Sequence, residues 1–368
     1  MSTVKQSSAI TATLLICMLL VNRGVTQNLK PYFDKSEYKE LLLVSAKTNT
    51  PDSTVFDIPA PTKYKMIYKS KVLGLNNRWD LWTNKSNTVA VVSIRGTTGN
   101  TESSLENLYA AMVPANGKLI LNNADTFNYC LAPDNKAAVH VGWLIGTAFL
   151  SKDIVPKIDS LYKSGIKDFL LMGHSQGGAI NYLLTAYLYS LQKQNILPGD
   201  IRFKTYCSAA PKPGNLFFAY YFESITENGW AFNVVNSADW VPETPVSIQT
   251  LNDFNETNLF KNAKSDIKKL KFPKNIILKK IYNKLDKPTK KAQKRYEKYL
   301  GKMTSKIIKK SLPDFVPPQY FESNNYVRTG NTVVLFAGDD YYEKFPAVSH
   351  DISTHHNFKA YLYLLDRY

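Results

Sequence analysis

The strongest constraint on the fold is a short, punctuated run near the middle of the chain. Asp168 to Met172 is a largely apolar stretch of strand length. Gly173-His174-Ser175-Gln176-Gly177-Gly178 follows, and Ala179 to Leu191 is apolar with helical character. Strand, glycine-rich turn and helix in immediate succession make a strand-to-helix corner, and the turn is a G-x-S-x-G match. A serine exposed at such a corner needs a sharp, strained backbone. Side chains two residues to either side would collide there, so glycines flank it. The following helix also points its N-terminus at any oxyanion forming beside the serine. The same string serves elsewhere as a plain turn packing helix on sheet. A phosphate-binding loop is disfavoured, because no Lys-Ser/Thr pair follows the glycines. Ser175 is the candidate nucleophile.

The flanking pattern agrees with such a corner. Val89 to Ile94 (VAVVSI) is a continuous β-branched run, as expected of a strand buried on both faces. Ile201 to Ser208, Ala231 to Val235 and Thr332 to Phe336 read as further strands. Helices are predicted at Lys35–Lys47, Val139–Leu150, Asp153–Tyr162, Leu216–Thr226 and Asn357–Asp366. Gly99 to Asp134 shows no strong period. Strands alternating with helices predict an α/β fold with a mostly parallel sheet.

Charge is unevenly placed. The chain carries 46 Lys+Arg against 30 Asp+Glu, a formal net charge of +16. Lys261 to Lys310 holds 18 Lys and Arg295 against only Asp266, Asp286 and Glu297, which accounts for the whole excess. The rest is close to neutral, unlike a protein that spreads charge along a nucleic-acid groove. Ile277, Ile281 and Leu285, then Tyr296, Leu300, Met303 and Ile307, recur at helical spacing on either side of Pro288. Two helices are expected, each with one apolar stripe, in an insertion at about 259–312. Three roles compete for it: a solvated helical pair packed on the domain, an anionic-surface binder, or a nucleic-acid or polyanion binder. So Lys-dominated a segment is poorly suited to reading bases, for which Arg makes the bidentate contacts.

Residues 1–27 read as a secretory signal: Lys5 begins it and Ile10 to Val21 is apolar, but short for a membrane span. The cleavage site near Gln27 is ill-defined, and an uncleaved anchor is the alternative. Cys17 follows Ile16, which does not suit a lipoprotein box. A single domain over 28–368 remains, exported to the periplasm or medium. Cys130 and Cys207 are then the remaining thiols; a disulfide between them is permitted, but Cys207 in a core strand reads more naturally as a buried free thiol.

An activated serine needs a base, and the base an orienting carboxylate. After Ser175 the histidines are His350, His355 and His356. Asp239, just past the strand at Ala231–Val235, is the candidate acid, with loop capping as its alternative role. No clustered His/Cys/carboxylate spacing suggests a metal, and no cofactor is required.

Five separated blocks make the chain similar to the class 3 lipase family of α/β hydrolases: Ser93-Ile94-Arg95-Gly96-Thr97, Val139-His140-Val141-Gly142-Trp143, Gly173 to Ala179 (GHSQGGA), Asn236 to Pro245 (NSADWVPETP), and His356-Asn357-Phe358-Lys359-Ala360-Tyr361-Leu362, with an aromatic five residues after the histidine. The resemblance spans Val89 to the C-terminus, less the insertion. It implies an α/β-hydrolase fold with a Lys-rich helical insertion, and the triad Ser175, Asp239 and His356, with His355 and His350 as fallback bases. It also implies an oxyanion hole from Thr97 and the Gln176 N–H. His140 and His174 are expected in structural parts near the turn. Two departures are the long interval between Asp239 and His356 and the polar Gln176, where the family often has Leu. Leu105 to Val113 is the candidate mobile lid, or else a packed connector. The implied function is hydrolysis of lipid carboxylic esters, with phospholipase A1 or short-chain esterase as alternatives. A non-catalytic anionic-lipid binder using Lys261–Lys310 is the opposed reading.

Overall fold

A computed structural model describes residues 28–50, 57–348 and 351–368. The expected signal at 1–27 and His350 lie outside the described residues. The elements below all belong to the unit Pro31–Tyr368. Its strands are β1 (Tyr64–Lys69), β2 (Trp79–Asn84), β3 (Val89–Ile94), β4 (Met112–Pro114), β5 (Asn116–Asn122), β6 (Asp125–Cys130), β7 (Ala138–His140), β8 (Asp168–His174), β9 (Arg202–Ser208), β10 (Gly214–Asn215), β11 (Ala231–Asn236), β12 (Tyr326–Val327) and β13 (Asn331–Leu335). Its helices are α1 (Lys35–Asn49), α2 (Thr101–Leu108), α3 (Val141–Lys163), α4 (Gln176–Lys193), α5 (Leu216–Ile225), α6 (Ala263–Lys269), α7 (Lys274–Glu297), α8 (Thr304–Ser311), α9 (Asp339–Lys344) and α10 (Phe358–Arg367), with a π-helical turn, Lys298–Met303, between α7 and α8.

The central sheet has the order β1-β2-β3-β8-β9-β11-β13. From β3 to β13 neighbours are parallel, while β1, β2 and β3 pair antiparallel. The sequence predicts β3, β8 and β11 because they are buried on both faces and read as largely apolar runs; β13 is an edge strand that buries only Val333 and Leu335. The sequence misses β1 and β2, whose alternation is blurred by Trp79, Asp80 and Trp82. Alternation divides the core: Val92, Ile94, Phe169 and Leu171 join the cluster formed with α3 and α4. Val91, Leu170 and Met172, equally buried, face the other side, where α1 packs. Register sets up the site, since Asp168 opposes Arg202 and His174 opposes Ser208. Arg202 Nε donates to Asp168 Oδ1 at 2.6 Å, fixing that alignment at the strands' start.

Three expectations change. The two helices expected at Val139–Leu150 and Asp153–Tyr162 are one continuous α3, with Pro156 inside it. The stretch from Gly99 to Asp134 contains α2 and the β5–β6 hairpin, the latter with alternating burial. Pro288 likewise fails to break the insertion: α7 runs through it from Lys274 to Glu297. Cys130 and Cys207 are both free thiols.

Inside the insertion the halves differ. In α8, Ile308 is fully buried in the main core together with Phe315. The π turn lies against β4: the Ala111 N–H donates to the Leu300 carbonyl at 3.2 Å, and a Cβ on Gly301 would approach Ala111 Cβ to 2.9 Å. The stripe of α7 does not follow: Ile277, Ile281 and Leu285 are 53%, 50% and 69% exposed.

Candidate active site

Ser175 sits between β8 and α4 with φ 60° and ψ −131°. That is the left-handed half of backbone space, strained for a residue with a Cβ. The corner is tight enough to need its glycines. A Cβ on Gly173 would lie 2.2 Å from the Gly177 carbonyl oxygen, and one on Gly177 would lie 2.3 Å from that of Ile94. The Ser175 N–H donates to the Ser208 carbonyl at 2.9 Å, and the Ser175 carbonyl accepts from the Gly178 N–H at 2.9 Å. The turn is thus tied to the next strand on one side and opens α4 on the other.

Asp239 lies just past β11 and is 3% exposed. His356 Nδ1 lies 2.7 Å from Asp239 Oδ2. Oδ2 also accepts from the Tyr361 hydroxyl at 2.8 Å, and Oδ1 from the Val241 N–H at 3.0 Å. An ionised carboxylate only accepts, so Nδ1 carries the proton of that bond and Nε2 is left as the basic nitrogen. Tyr361 is the aromatic five residues after His356. Its hydroxyl accepts from the Asn236 N–H at 3.1 Å, so β11 and α10 meet on the same carboxylate.

A second histidine pins the segment. His174 is buried just before Ser175, and burial followed by the nearby charge of His356 pushes its pKa down to about 3. Its Nε2 donates to the His356 carbonyl at 2.9 Å. Nδ1 therefore accepts from Ser208 Oγ at 3.0 Å, and that hydroxyl accepts in turn from Tyr38 at 2.7 Å. This directed chain suits only a neutral ring, which burial enforces. The structural part expected of His174 is thus to hold the backbone of His356 beside the corner.

Thr97 follows β3 on an exposed loop. Asn49 Oδ1 accepts from the Gly96 N–H at 2.7 Å, and Asn107 Nδ2 donates to Thr97 Oγ1 at 2.9 Å. Gln176 is buried, but its side chain faces α2. Oε1 accepts from Ser103 Oγ at 3.0 Å, and Nε2 donates to the Ser103 carbonyl and to Glu106 Oε2, each at 3.1 Å. Its polar side chain therefore braces α2. Glu106 is fully buried, also accepts from Asn77 Nδ2 at 2.8 Å, and leaves Oε1 without a partner. Burial raises its carboxyl pKa well above the usual range, against the smaller opposing effect of Asn77.

These bonds pack the first part of the Leu105–Val113 stretch against the domain. Helix α2 ends at Leu108, and the following residues enter buried β4. Its C-terminal Asn107 also accepts from Trp143 Nε1 at 2.9 Å, and its carbonyl from His140 Nε2 at 3.2 Å. His140, stacked on Trp143, caps α3 and is held neutral by burial, its pKa pushed down to about 3. The structural part of His140 is thus at α2 and α3. Of the fallback bases, His355 Nδ1 is bonded to the Tyr341 hydroxyl at 2.9 Å, and the His355 carbonyl accepts from Asn236 Nδ2 at 2.9 Å.

Sequence reasoning missed Tyr38, Asn49, Asn107, Glu106 and Asn236. All act through bonds between residues distant in the chain, and only the Asn236 position inside NSADWVPETP carries a local signal.

Residues 91–248 match the family model of lipases (class 3). Similar solved structures include a fungal lipase–inhibitor complex, at 22% identity over 57% of this chain and 74% of that one, with a TM-score of 0.45. The triacylglyceride lipase of Rhizomucor miehei has 21% identity over 59% and 77%, with a TM-score of 0.44. A triacylglycerol lipase of Penicillium expansum has 15% identity over 58% and 74%, with a TM-score of 0.41. A search of curated proteins finds no match. The family match covers residues 91–248, less than half of the chain, and includes the corner at Ser175 and the candidate acid Asp239.

Proposed function

We propose that the chain hydrolyses lipid carboxylic esters through Ser175, with His356 as base and Asp239 as its orienting acid. One observation carries this reading: a bonded Asp239–His356 pair whose backbone is pinned, through His174, to the residue beside a strained serine. In the mechanism, Ser175 Oγ attacks the ester carbonyl while His356 Nε2 takes its proton. The imidazolium formed is stabilised by Asp239 through Nδ1. Charge developing on the carbonyl oxygen is met by the Gln176 N–H at the start of α4, together with the N–H and hydroxyl of Thr97. His356 returns the proton to the departing alcohol. Water then enters, its oxygen bonds the acyl carbon while His356 takes its proton, and His356 returns that proton to Ser175 Oγ as the acid leaves.

The two side-chain braces fit these roles. Asn107 donates to the Thr97 hydroxyl, leaving that hydroxyl's proton free to point at an oxyanion. Ser103 and Glu106 hold Gln176, whose N–H is the other donor. Export through the leader read at residues 1–27 belongs to the same proposal, as does attraction of the basic segment to a lipid–water boundary.

The test is turnover by the chain and its Ser175→Ala variant on a water-soluble short-chain ester, an emulsified long-chain ester and a phospholipid. Activity lost in the variant supports the mechanism. Preference for the emulsion supports a lipase, preference for the soluble ester an esterase, and selective cleavage of phospholipid a phospholipase A1. A folded wild-type chain inactive on all three substrates overturns the reading and favours a binding protein.

A further inference from the structure

We infer that the outer hairpin α6–α7, rather than the whole basic segment, is a docking element for an anionic lipid surface. Its biological use rests on the proposed lipid-ester function, but its test does not.

The division follows from what each half buries. Helix α8 contributes Ile308 to the core and is fixed beside β4 through the π turn. Helix α6 buries no residue, and α7 buries only Asp286 and Gln293, both polar. Tyr296 near the end of α7 packs on Met112, Ala138 and Tyr326, but the aliphatic residues of its first half are turned outward. Ile277, Ile281 and Leu285 stand one turn apart at i, i+4 and i+8, each half-exposed or more, and Phe272 at the hairpin's bend is 79% exposed. At about 100° per residue these three side chains form one stripe, centred roughly 130° from the face that holds Asp286 and Gln293. Lys280, Lys284, Lys287 and Lys291 fall along one flank of that stripe. An exposed apolar stripe bordered by lysines on a 24-residue helix is the pattern of a helix lying in the plane of a membrane interface.

Charge selects the occupant. The hairpin's three carboxylates already have lysine partners: Asp266 with Lys269 at 3.0 Å, Asp286 with Lys290 at 3.1 Å, and Glu297 with Lys302 at 2.9 Å. Most of its lysines have no acidic partner among the described residues, so an anionic surface supplies what the fold lacks. A second copy is a poor occupant, because joining two stripes would bring the lysine flanks together. Nucleic acid leaves the stripe unused, and the hairpin's single arginine offers little bidentate readout. The π turn fixes the hairpin's inner end beside β4.

The experiment uses the full chain carrying Ser175→Ala, so that no lipid is consumed. Flotation with vesicles of equal parts phosphatidylcholine and phosphatidylglycerol is compared with phosphatidylcholine alone. Binding at least ~10-fold tighter to the mixed vesicles is expected, weakening as salt rises from ~0.1 to ~0.5 M through screening. Replacing Ile277, Ile281 and Leu285 together by Ser weakens that binding ~10-fold or more, while Ile307→Ser on the inner half leaves it within ~2-fold. In the Ser175 background the triple variant keeps its turnover of a water-soluble ester. Equal binding to both vesicles, or binding indifferent to the triple change, overturns the proposal. So does displacement of the chain from mixed vesicles by a short RNA at low ratio, or a stable dimer abolished by the triple change. A chain that docks without hydrolysing overturns the catalytic reading alone; one that hydrolyses without docking overturns this one alone.

Discussion

Helices α2 and α7 each invert the usual rule of burial in the same sense, but to different ends. Helix α2 buries Ser103 and Glu106 while Leu108 is 48% exposed. Helix α7 buries Asp286 and Gln293 while its isoleucines and Leu285 face out. The polar groups of α2 have a purpose inside the fold, because they are bonded around Gln176, next to the candidate nucleophile. Towards its other end α7 packs Tyr296 on Met112, Ala138 and Tyr326, but Ile277, Ile281 and Leu285 stay half-exposed or more. One helix is held by what it has already satisfied; the other is defined by what it has yet to meet.

If the α2 side is a preorganised catalytic wall, the largest effects belong to the residues it surrounds. Ser175→Ala is expected to lower kcat by ~10⁵-fold or more with the fold intact, measured as ester turnover alongside thermal unfolding. Asp239→Asn should lower it by ~10⁴-fold, because a neutral amide no longer enforces the tautomer that leaves Nε2 basic. Tyr361→Phe removes only one of the three donors to that carboxylate and should cost about ~10-fold. A drop for Asp239→Asn no larger than that for Tyr361→Phe would sink the assigned role of Asp239.

The contrast within the insertion is sharpened by a pair of truncations. Ile308→Ala empties a fully buried site and should destabilise the fold by about 2–4 kcal/mol. Ile281→Ala, on a half-exposed stripe, should change stability by no more than about 0.5 kcal/mol. Urea midpoints for the two variants decide the matter. Equal losses would mean that α7 packs as α8 does.

These two isoleucines also show what the sequence makes legible. Both recur at helical spacing beside lysines, and the string predicts the helix in each case. Spacing specifies a face but not whether anything covers it; that depends on β4, far off in the chain, and on how the segment after α8 brings Phe315 back to the core. Ser175 is readable as a candidate because its corner needs glycines within two residues, as the close approaches at Gly173 and Gly177 show, and Asp239 because it lies just past the strand β11. Glu106 is not readable: a carboxylate in a short polar helix reads as a solvent group. Only the fold, through Asn77, Gly146 and Gln176, shuts it away. Pro288 misleads for a related reason. It is a strong local breaker, yet α7 continues around it.

Glu106 provides the subtlest test of the comparison, through pH. Its folded-state pKa is raised by burial, so the folded protein retains a proton that the unfolded chain releases near pH ~4.3. Where the folded state binds more protons, stability falls as pH rises. The contribution is therefore least unfavourable below the unfolded carboxyl pKa. It worsens through the window above that pKa, with a slope of at most about 1.4 kcal/mol per pH unit for one proton. Glu106→Gln keeps an acceptor for Asn77 and Gln176 and cannot ionise. Its stability should exceed the wild type's by a margin that widens from acid toward neutral pH, read as the difference between two sets of denaturation midpoints. Parallel curves would mean that Glu106 ionises as readily inside the fold as outside it. The polar side of α2 would then be open to water, and the wall behind Gln176 would be no more closed than the stripe on α7.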